Sequence, residues 1–434
     1  MRTDFNRTVW RGVELDHPAD WELMSASRYG APGACTLADR RHERLKIQWR
    51  PLKAAPNLAK LLEEKKPEPE RKIARLTGQP TGWHGTTERT GRAMLVHAGR
   101  FFADDGLLIE VMLLWPGKRD RAAENALLQS VRPAQADPQG RRLWQAMGLR
   151  MTVGAEYDLL KHYAGSGQVA WGFGPPTGKN AKPVLGARRM AMPRRWLSVP
   201  LEEWLQTQLG EPWRKEFVKR TAVNGHTAAR MTSARGARIR DRLGGRRLRR
   251  TDLAWECPVE NRVYHVQYEE PTGASEARLP EHAQVNCCAP YRVPAEPEPA
   301  RRAGKEEARV SAAPDTADLL AAVPFVNRAA KLAEGSRGSL RAEVPLKRPW
   351  FLGGPVRWIF PVSDRRRMEL DSLGVSVLDL CDGNRTVERI VWEFATRHKL
   401  SFLEAQEPVM EYMRQLARRG ILAVAGWKES EERA

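Results

Sequence analysis

The sequence predicts a mixed α+β protein. Two tandem antiparallel α/β sandwich repeats (residues 1–138 and 139–290) precede a Pro/Ala/Glu/Arg-rich linker (291–345) and a C-terminal winged helix-turn-helix (346–430). Three observations carry that expectation. One order of strand-like and helix-like segments recurs over about 130 residues. Composition shifts to Pro, Ala, Glu and Arg after Ala289. Between Arg366 and Leu422, helix start and stop signals mark three helices behind a polar strand.

The first repeat opens with an extended stretch, VWRGVELDHPADWEL. In His42 to Leu52, Leu45, Ile47 and Trp49 alternate as in a half-buried strand. A helix is expected from about Asn57 to Glu64. After a Pro- and Lys-rich loop, the stretch from Gly82 to Gly117 reads as a meander of strands with Asp105-Gly106 at its turn. Asp120 to Val131 closes the unit as a helix. The second repeat follows the same order. GLRMTVGAEYDLLK (Gly148 to Lys161) parallels GVELDHPADWEL, and ARRMAMPRRWLSVPLEEWLQTQL parallels HERLKIQWRPLKAAPNLAKLLEE. GHTAARMT (Gly225 to Thr232) parallels HGTTERT (His84 to Thr90), and LAWECPVENRVYHVQYEEP parallels LVHAGRFFADDGLLIEVMLLWP. Identity is low, but order, spacing and turn positions agree. By element order each unit is similar to the α/β sandwich of the PsbP-like superfamily, whose members are mostly binding or assembly factors; the fold alone assigns no chemistry.

From Ala289 to about Leu346 the chain is too polar to bury a core of its own. Inside this linker, Thr316 to Gly335 carries enough Leu, Val and Phe for a short helix or docking strip. The tail is more explicit. Ser372 can cap a first helix bearing Val375, Val377 and Leu378, and Asp382-Gly383 supplies its stop. Thr386 can cap a second, with Val387, Ile390, Val391 and Phe394 on one face. Ser401 and Glu404 have capping-box spacing and start a third, which carries Val409, Met413 and Leu416 and ends at Gly420. Ile421 to Val424 returns as a strand.

These same residues carry a family resemblance. Leu370 at the strand end, Leu378 in the first helix, the run LCDGNRTVERI (Leu380 to Ile390) and LARRGIL (Leu416 to Leu422) resemble the coenzyme PQQ synthesis protein D family. Its members include peptide-recognition elements of ribosomal peptide maturation systems. The resemblance implies a ligand peptide added as a strand along Arg366, Arg367, Met368, Glu369 and Leu370. Its other wall would be the third helix, presenting Tyr412, Gln415 and Arg419. An open strand edge offers unpaired backbone donors and acceptors, and flanking side chains select the ligand. Arg365, Arg366 and Arg367 would favour an acidic peptide. Relatives are often small and stand alone, whereas this copy ends a large protein, so PQQ synthesis itself is not the expected role. The alternative is a DNA-binding regulator that reads the major groove with Arg414, Arg418 and Arg419.

Charge is uneven. The chain has 72 Lys and Arg against 53 Asp and Glu, a formal net charge of +19. Leu201 to Arg250 holds 13 basic and 5 acidic residues, whereas Leu346 to Trp427 holds 13 and 10. The excess therefore lies outside the helical tail, which weighs against nucleic acid as its ligand. The run from Arg230 to Arg250 carries nine arginines and one aspartate. Arg235, Arg238, Arg240, Arg242, Arg246, Arg247, Arg249 and Arg250 form a candidate basic patch for an acidic protein surface or phosphates, or simply a long solvated hairpin. No aromatic residue is interleaved for base stacking. Of the tryptophans, Trp10, Trp49, Trp115, Trp196, Trp204 and Trp255 lie in or beside expected elements, so core packing is the default.

Catalytic signatures do not occur: the sequence has no GxxxxGK[ST], GxSxG or HExxH. Asp104-Asp105 at a hairpin tip and Glu202-Glu203 at a helix start lack the separated partner that acid/base work needs. His84 and His226 fall at similar points of the two repeats and are expected to hydrogen-bond a turn. The five cysteines, Cys35, Cys257, Cys287, Cys288 and Cys381, include no CxxC pair. The vicinal Cys287-Cys288 admits a redox or metal-binding reading, but the expectation is a strand or helix end with two small apolar residues. The sequence thus predicts a non-catalytic binding or adaptor protein with no cofactor or metal and a peptide or protein partner. With no signal-peptide-like start and a longest apolar run of only nine residues, Leu107 to Trp115, it is expected to be cytoplasmic and reduced.

Overall fold

The protein is described by a computed structural model covering residues 5–27, 31–58, 73–165, 167–176, 182–235, 248–271, 283–288, 294, 296–297, 316–334, 340–345, 365–370 and 372–425. It is mixed α+β, dominated by antiparallel sheets with few helices, and the chain divides into two units, Met1–Tyr291 and Arg292–Ala434.

In the first unit the strands are β1 (Phe5–Trp10), β2 (Val13–Pro18), β3 (Glu22–Ala26), β4 (Gly33–Ala38), β5 (Glu43–Pro51), β6 (Ile73–Arg75), β7 (His84–Thr90), β8 (Ala93–Phe102), β9 (Leu107–Trp115) and β10 (Arg132–Pro133). They are followed by β11 (Arg141–Ala146), β12 (Leu149–Gly154), β13 (Asp158–Gly165), β14 (Gln168–Gly174), β15 (Leu185–Ala191), β16 (Trp213–Val223), β17 (His226–Arg235), β18 (Leu248–Cys257), β19 (Arg262–Pro271) and β20 (Gln284–Asn286). Helix α1 (Arg121–Ser130) precedes β10, while α2 (Pro193–Trp196) and α3 (Leu201–Thr207) lie between β15 and β16. Two seven-stranded sheets run β3-β4-β5-β9-β8-β7-β6 and β13-β14-β15-β19-β18-β17-β16. Each member of the second follows its counterpart in the first by ten strands.

A six-stranded sheet, β10-β2-β1-β11-β12-β20, draws strands from both halves and joins them. Its two hairpins close on Arg11-Gly12 and Met147-Gly148, both residues of each turn at positive φ, the two-residue geometry whose twist suits paired strands. Asn224-Gly225 closes β16 on β17 in the same way. The core crosses the join: Trp10 lies edge-on to Trp144 and Trp171, with ring centroids 5.9 and 5.8 Å apart. Alternation explains the inward residues of β5, where Leu45, Ile47 and Trp49 are buried. Trp10, Trp115, Trp204 and Trp255 are buried too, but Trp196 is 37% exposed, contrary to the core packing expected of it. Its indole instead donates to the Ala191 carbonyl at 2.8 Å from the short helix α2. Asp120 caps α1 by accepting from the Ala123 N–H at 3.0 Å. The helix expected at Asn57 to Glu64 lies largely outside the described residues.

The second unit contains α4 (Thr316–Ala321), β21 (Val323–Val326), β22 (Lys331–Glu334), β23 (Leu340–Pro345), β24 (Arg365–Leu370), α5 (Ser372–Leu378), α6 (Val387–His398), α7 (Phe402–Arg418) and β25 (Leu422–Ala425). The signals at the starts of α6 and α7 act as expected, whereas Ser372, expected as the cap of α5, is the first residue of that helix. Thr386 accepts from Arg389 N–H, and Ser401 and Glu404 form both halves of a capping box. Helix α5 ends at Leu378, ahead of the Asp382-Gly383 turn, in which Asp382 accepts from the N–H groups of Asn384 and Arg385.

Part of the expected linker is folded. Strand β21 pairs antiparallel with β25, and β22-β23-β24 form a three-stranded sheet. The Ala322 carbonyl accepts from Val387 N–H at the start of α6, and Asn327 caps the end of α7 by donating to the Gly420 carbonyl at 2.8 Å. Composition hid this because such strands are stabilised by backbone pairing to a distant partner, with Leu320 buried on the preceding helix α4 and Ala342 buried on β23.

Candidate functional site

The site centres on β24. One edge pairs with β23 in register from Leu340↔Leu370 to Pro345↔Arg365. β24 is the terminal strand of its sheet, and among the described residues no strand pairs with its second edge. Leu370 is buried and Glu369 exposed. For Arg366, Arg367 and Met368 the backbone is described as strand, while their side-chain surroundings lie outside the described residues.

Helix α7 packs on α5, α6 and β25. Its apolar stripe, Phe402, Ala405, Val409, Met413 and Leu416, is buried. Tyr412 is half-buried against α5: a Cβ built on Gly374 would lie 1.8 Å from its hydroxyl oxygen, so glycine is what lets the ring approach. Gln415 and Arg419 are exposed beyond it. Gln415 donates to Glu411 at 3.2 Å, and Arg414 closes on the other oxygen of the same carboxylate. The Gln415 hydrogen bond and the charges of Arg414 and Arg418 hold Glu411 below the usual carboxylate range. Of the three arginines that would face a major groove, Arg414 is thus engaged, while Arg418 and Arg419 are exposed. On α6, Arg389 lies over the Trp392 ring at 4.3 Å and pairs with Glu296, while the Trp392 indole donates to the Pro294 carbonyl at 2.8 Å.

The arginine run divides. Arg238, Arg240, Arg242, Arg246 and Arg247 lie outside the described residues. Arg235 ends β17 and Arg249 pairs with Glu216 at 3.5 Å. Arg250 does not belong to an open patch: it is buried, with Nη2 and Nε donating to the two oxygens of Asp252 at 2.7 and 2.8 Å. Asp252 also accepts from His265 Nε2 at 2.8 Å. Burial alone would raise the Asp252 carboxyl, but hydrogen bonds from His265 and Arg250 outweigh it and hold the group ionised below its ordinary range. Burial lowers His265, which donates as a neutral ring.

The cysteines depart most from expectation. Cys287 and Cys288 follow β20 as a half-buried and an exposed residue rather than a buried apolar end. Cys257 and His226 converge on them, so that one ligand-type atom from each of the four lies within 4.8 Å of all the others. His226 therefore does more than hydrogen-bond a turn. The only sequence signal was that three of five cysteines fall between positions 257 and 288.

Comparison with known proteins bears on the tail. The sequence matches no curated protein. Among solved structures, similarity is found to the immunity protein TplEi of the T6SS of Pseudomonas aeruginosa. The apo form is 12% identical with TM-score 0.28, over 62% of this chain and 90% of that one. The form complexed with "L" peptide is 11% identical with TM-score 0.27, over 63% and 90%. No helix among the described residues is long and apolar enough to cross a membrane. Residues 361–422 match the family Coenzyme PQQ synthesis protein D (PqqD), a span that takes in β24, all three helices and the start of β25. The C-terminal domain of this chain is PqqD-like.

Proposed function

We propose that the chain is a non-catalytic, multidomain binding or adaptor protein whose C-terminal winged-helix domain takes up a peptide or protein segment by strand addition, in peptide modification or cofactor biosynthesis. The observation that carries this reading is β24: it lies inside the PqqD-matched span, is paired on one edge by β23, and ends its sheet. A strand edge in that state presents alternate backbone N–H and C=O groups to an extended ligand, with side chains conferring selectivity. Arg365, Arg366 and Arg367 on that strand favour an acidic segment. Exposed Gln415 and Arg419 on α7 supply further polar contacts.

The N-terminal unit is proposed to be a duplicated α/β sandwich that docks a second protein. The matching strand orders of the two seven-stranded sheets, and the paired Arg11-Gly12 and Met147-Gly148 hairpins, support the duplication. The join through the six-stranded sheet means that the halves act as one body.

The test is selection of peptides from a random displayed library on the full chain. Enriched acidic peptides should lose binding to a Glu369→Pro variant, which removes a backbone donor from the edge of β24 that faces away from β23, and weaken on Arg419→Glu. Unchanged binding by both variants would refute strand addition at this edge. The competing ligand is duplex DNA, because Arg418 and Arg419 are exposed; binding that falls steeply with salt and ignores Glu369→Pro would favour it.

A further inference from the structure

We infer that His226, Cys257, Cys287 and Cys288 form a closed structural zinc site that pins the last strand of the N-terminal unit. The residues come from three places. His226 is the first residue of β17, Cys257 the last of β18, and the vicinal cysteines follow β20. Sequence separations of 31 and 62 residues close to contact distance: Cys288 Sγ lies 3.8 Å from Cys257 Sγ and 2.9 Å from His226 Nε2. Cys287 Sγ is also 3.8 Å from Cys288 Sγ.

Those sulfur separations identify the chemistry. A disulfide needs about 2.05 Å between sulfurs. Thiolates each about 2.3 Å from a tetrahedral zinc ion lie about 3.8 Å apart along the tetrahedron's edges. The two sulfur pairs fit the second case, and the imidazole nitrogen, 2.9 Å from Cys288 Sγ, has to move out by about 0.6 Å to reach the sulfur–nitrogen edge of the same tetrahedron. Three thiolates and one imidazole are a soft, four-coordinate donor set suited to zinc. The set leaves no open position, so the role is structural rather than catalytic. On binding, three thiol protons pass to solvent and no electron is transferred.

The surroundings are built to the same end. The Trp255 indole N–H points at Cys287 Sγ at 3.4 Å, and the Asn224 amide at 3.5 Å, as donors that support a thiolate and orient it. That amide also donates to the Val285 carbonyl at 2.9 Å, tying the 224-225 turn to β20. Cys288 sits at φ +69°, a conformation an L side chain adopts only when its surroundings demand it, and one that lets adjacent cysteines serve one centre. Need for an anchor is evident in β20, which is held to β12 by only three residue pairs, Arg150↔Asn286 to Thr152↔Gln284. The first half closes the corresponding corner without the cysteines, although His84 opens β7 as His226 opens β17. There β8 ends in Phe102, which packs on the core, and β10 is followed by Ala134 and Gln135.

Elemental analysis of the full chain, purified without chelator and again after incubation with zinc and gel filtration, tests the assignment. About one zinc per chain is expected, falling at least tenfold in Cys257→Ser and Cys288→Ser and unchanged in Cys381→Ser, whose thiol is buried elsewhere. Should the serine variants fail to fold, cobalt(II) loaded into the native chain reports instead: intense visible bands and thiolate-to-cobalt charge transfer mark a tetrahedral thiolate site. Removing the ion with a chelator should lower the thermal midpoint by about 10 °C. Less than a tenth of an equivalent of zinc after loading would overturn the assignment. So would stoichiometric binding of a different metal, or a Cys257–Cys288 disulfide formed on mild oxidation of the metal-free and zinc-treated chain alike.

Discussion

Replacing Gly374 by alanine tests how the candidate peptide site is assembled. A Cβ at this position would fall 1.8, 2.3 and 2.5 Å from Oη, Cζ and Cε1 of Tyr412, all well inside contact distance. The tyrosine ring is rigid, so it must swing away and leave α5. Overpacking of this kind costs about 1–3 kcal/mol. Against that, Gly→Ala inside a helix gains up to about 1 kcal/mol of propensity. The net expectation is a loss of about 1 kcal/mol, together with displacement of a side chain from the proposed groove. In a Tyr412→Ala background the clash is gone, and the same Gly374→Ala change should stabilise α5 by about 0.5–1 kcal/mol. Native-state hydrogen exchange of the α5 and α7 amides in the full chain reads each arm of this double-mutant cycle. A stabilising Gly374→Ala in the native background, equal to that in Tyr412→Ala, would refute the close ring approach on which the argument rests.

Two further substitutions probe the N-terminal unit. His17 is buried, its Nδ1–H donating to the Pro18 carbonyl at 3.0 Å while Nε2 accepts from the Thr8 hydroxyl at 3.0 Å, a neutral-ring arrangement. Burial pushes its pKa down from 6.5 to about 4, so the unfolded chain binds the extra proton first. The stabilisation is present above pH 6.5 and is lost as pH falls through about 4, by up to about 3 kcal/mol. His17→Gln should flatten that part of a urea-denaturation pH profile, and an unaltered acid slope would contradict it. Asp252→Ala should cost about 3–5 kcal/mol, because it leaves Arg250 and His265 buried without their acceptor; a loss under about 1 kcal/mol in the same denaturation assay would contradict the network.

Local chemistry was the legible part of the sequence. Asp120, Thr386 and the Ser401/Glu404 pair cap helices because a cap depends on residues two or three positions away. The PqqD-like tail was readable for the same reason, its motifs being helix stops and starts. What escaped depends on distant pairing. Strand β21 has a partner, β25, about a hundred residues on, so 316–345 read as linker. Arg250 looked solvated within an arginine run, but strand alternation places it and Asp252 on one face of β18, where they bond. The cysteines showed no regular spacing because they converge, with His226, only where the ends of β17, β18 and β20 meet, and only the folded sheets bring those ends together.

The central claim is that β24 keeps an edge for a ligand strand. Hydrogen exchange of residues 365–370 in the full chain, with and without a saturating peptide from the library selection, tests it most directly. The account predicts that about alternate amides of β24 slow by at least tenfold on binding, while those of β23, on the far side, change little. Protection confined to α7, or none in 365–370 despite saturated binding, would contradict it.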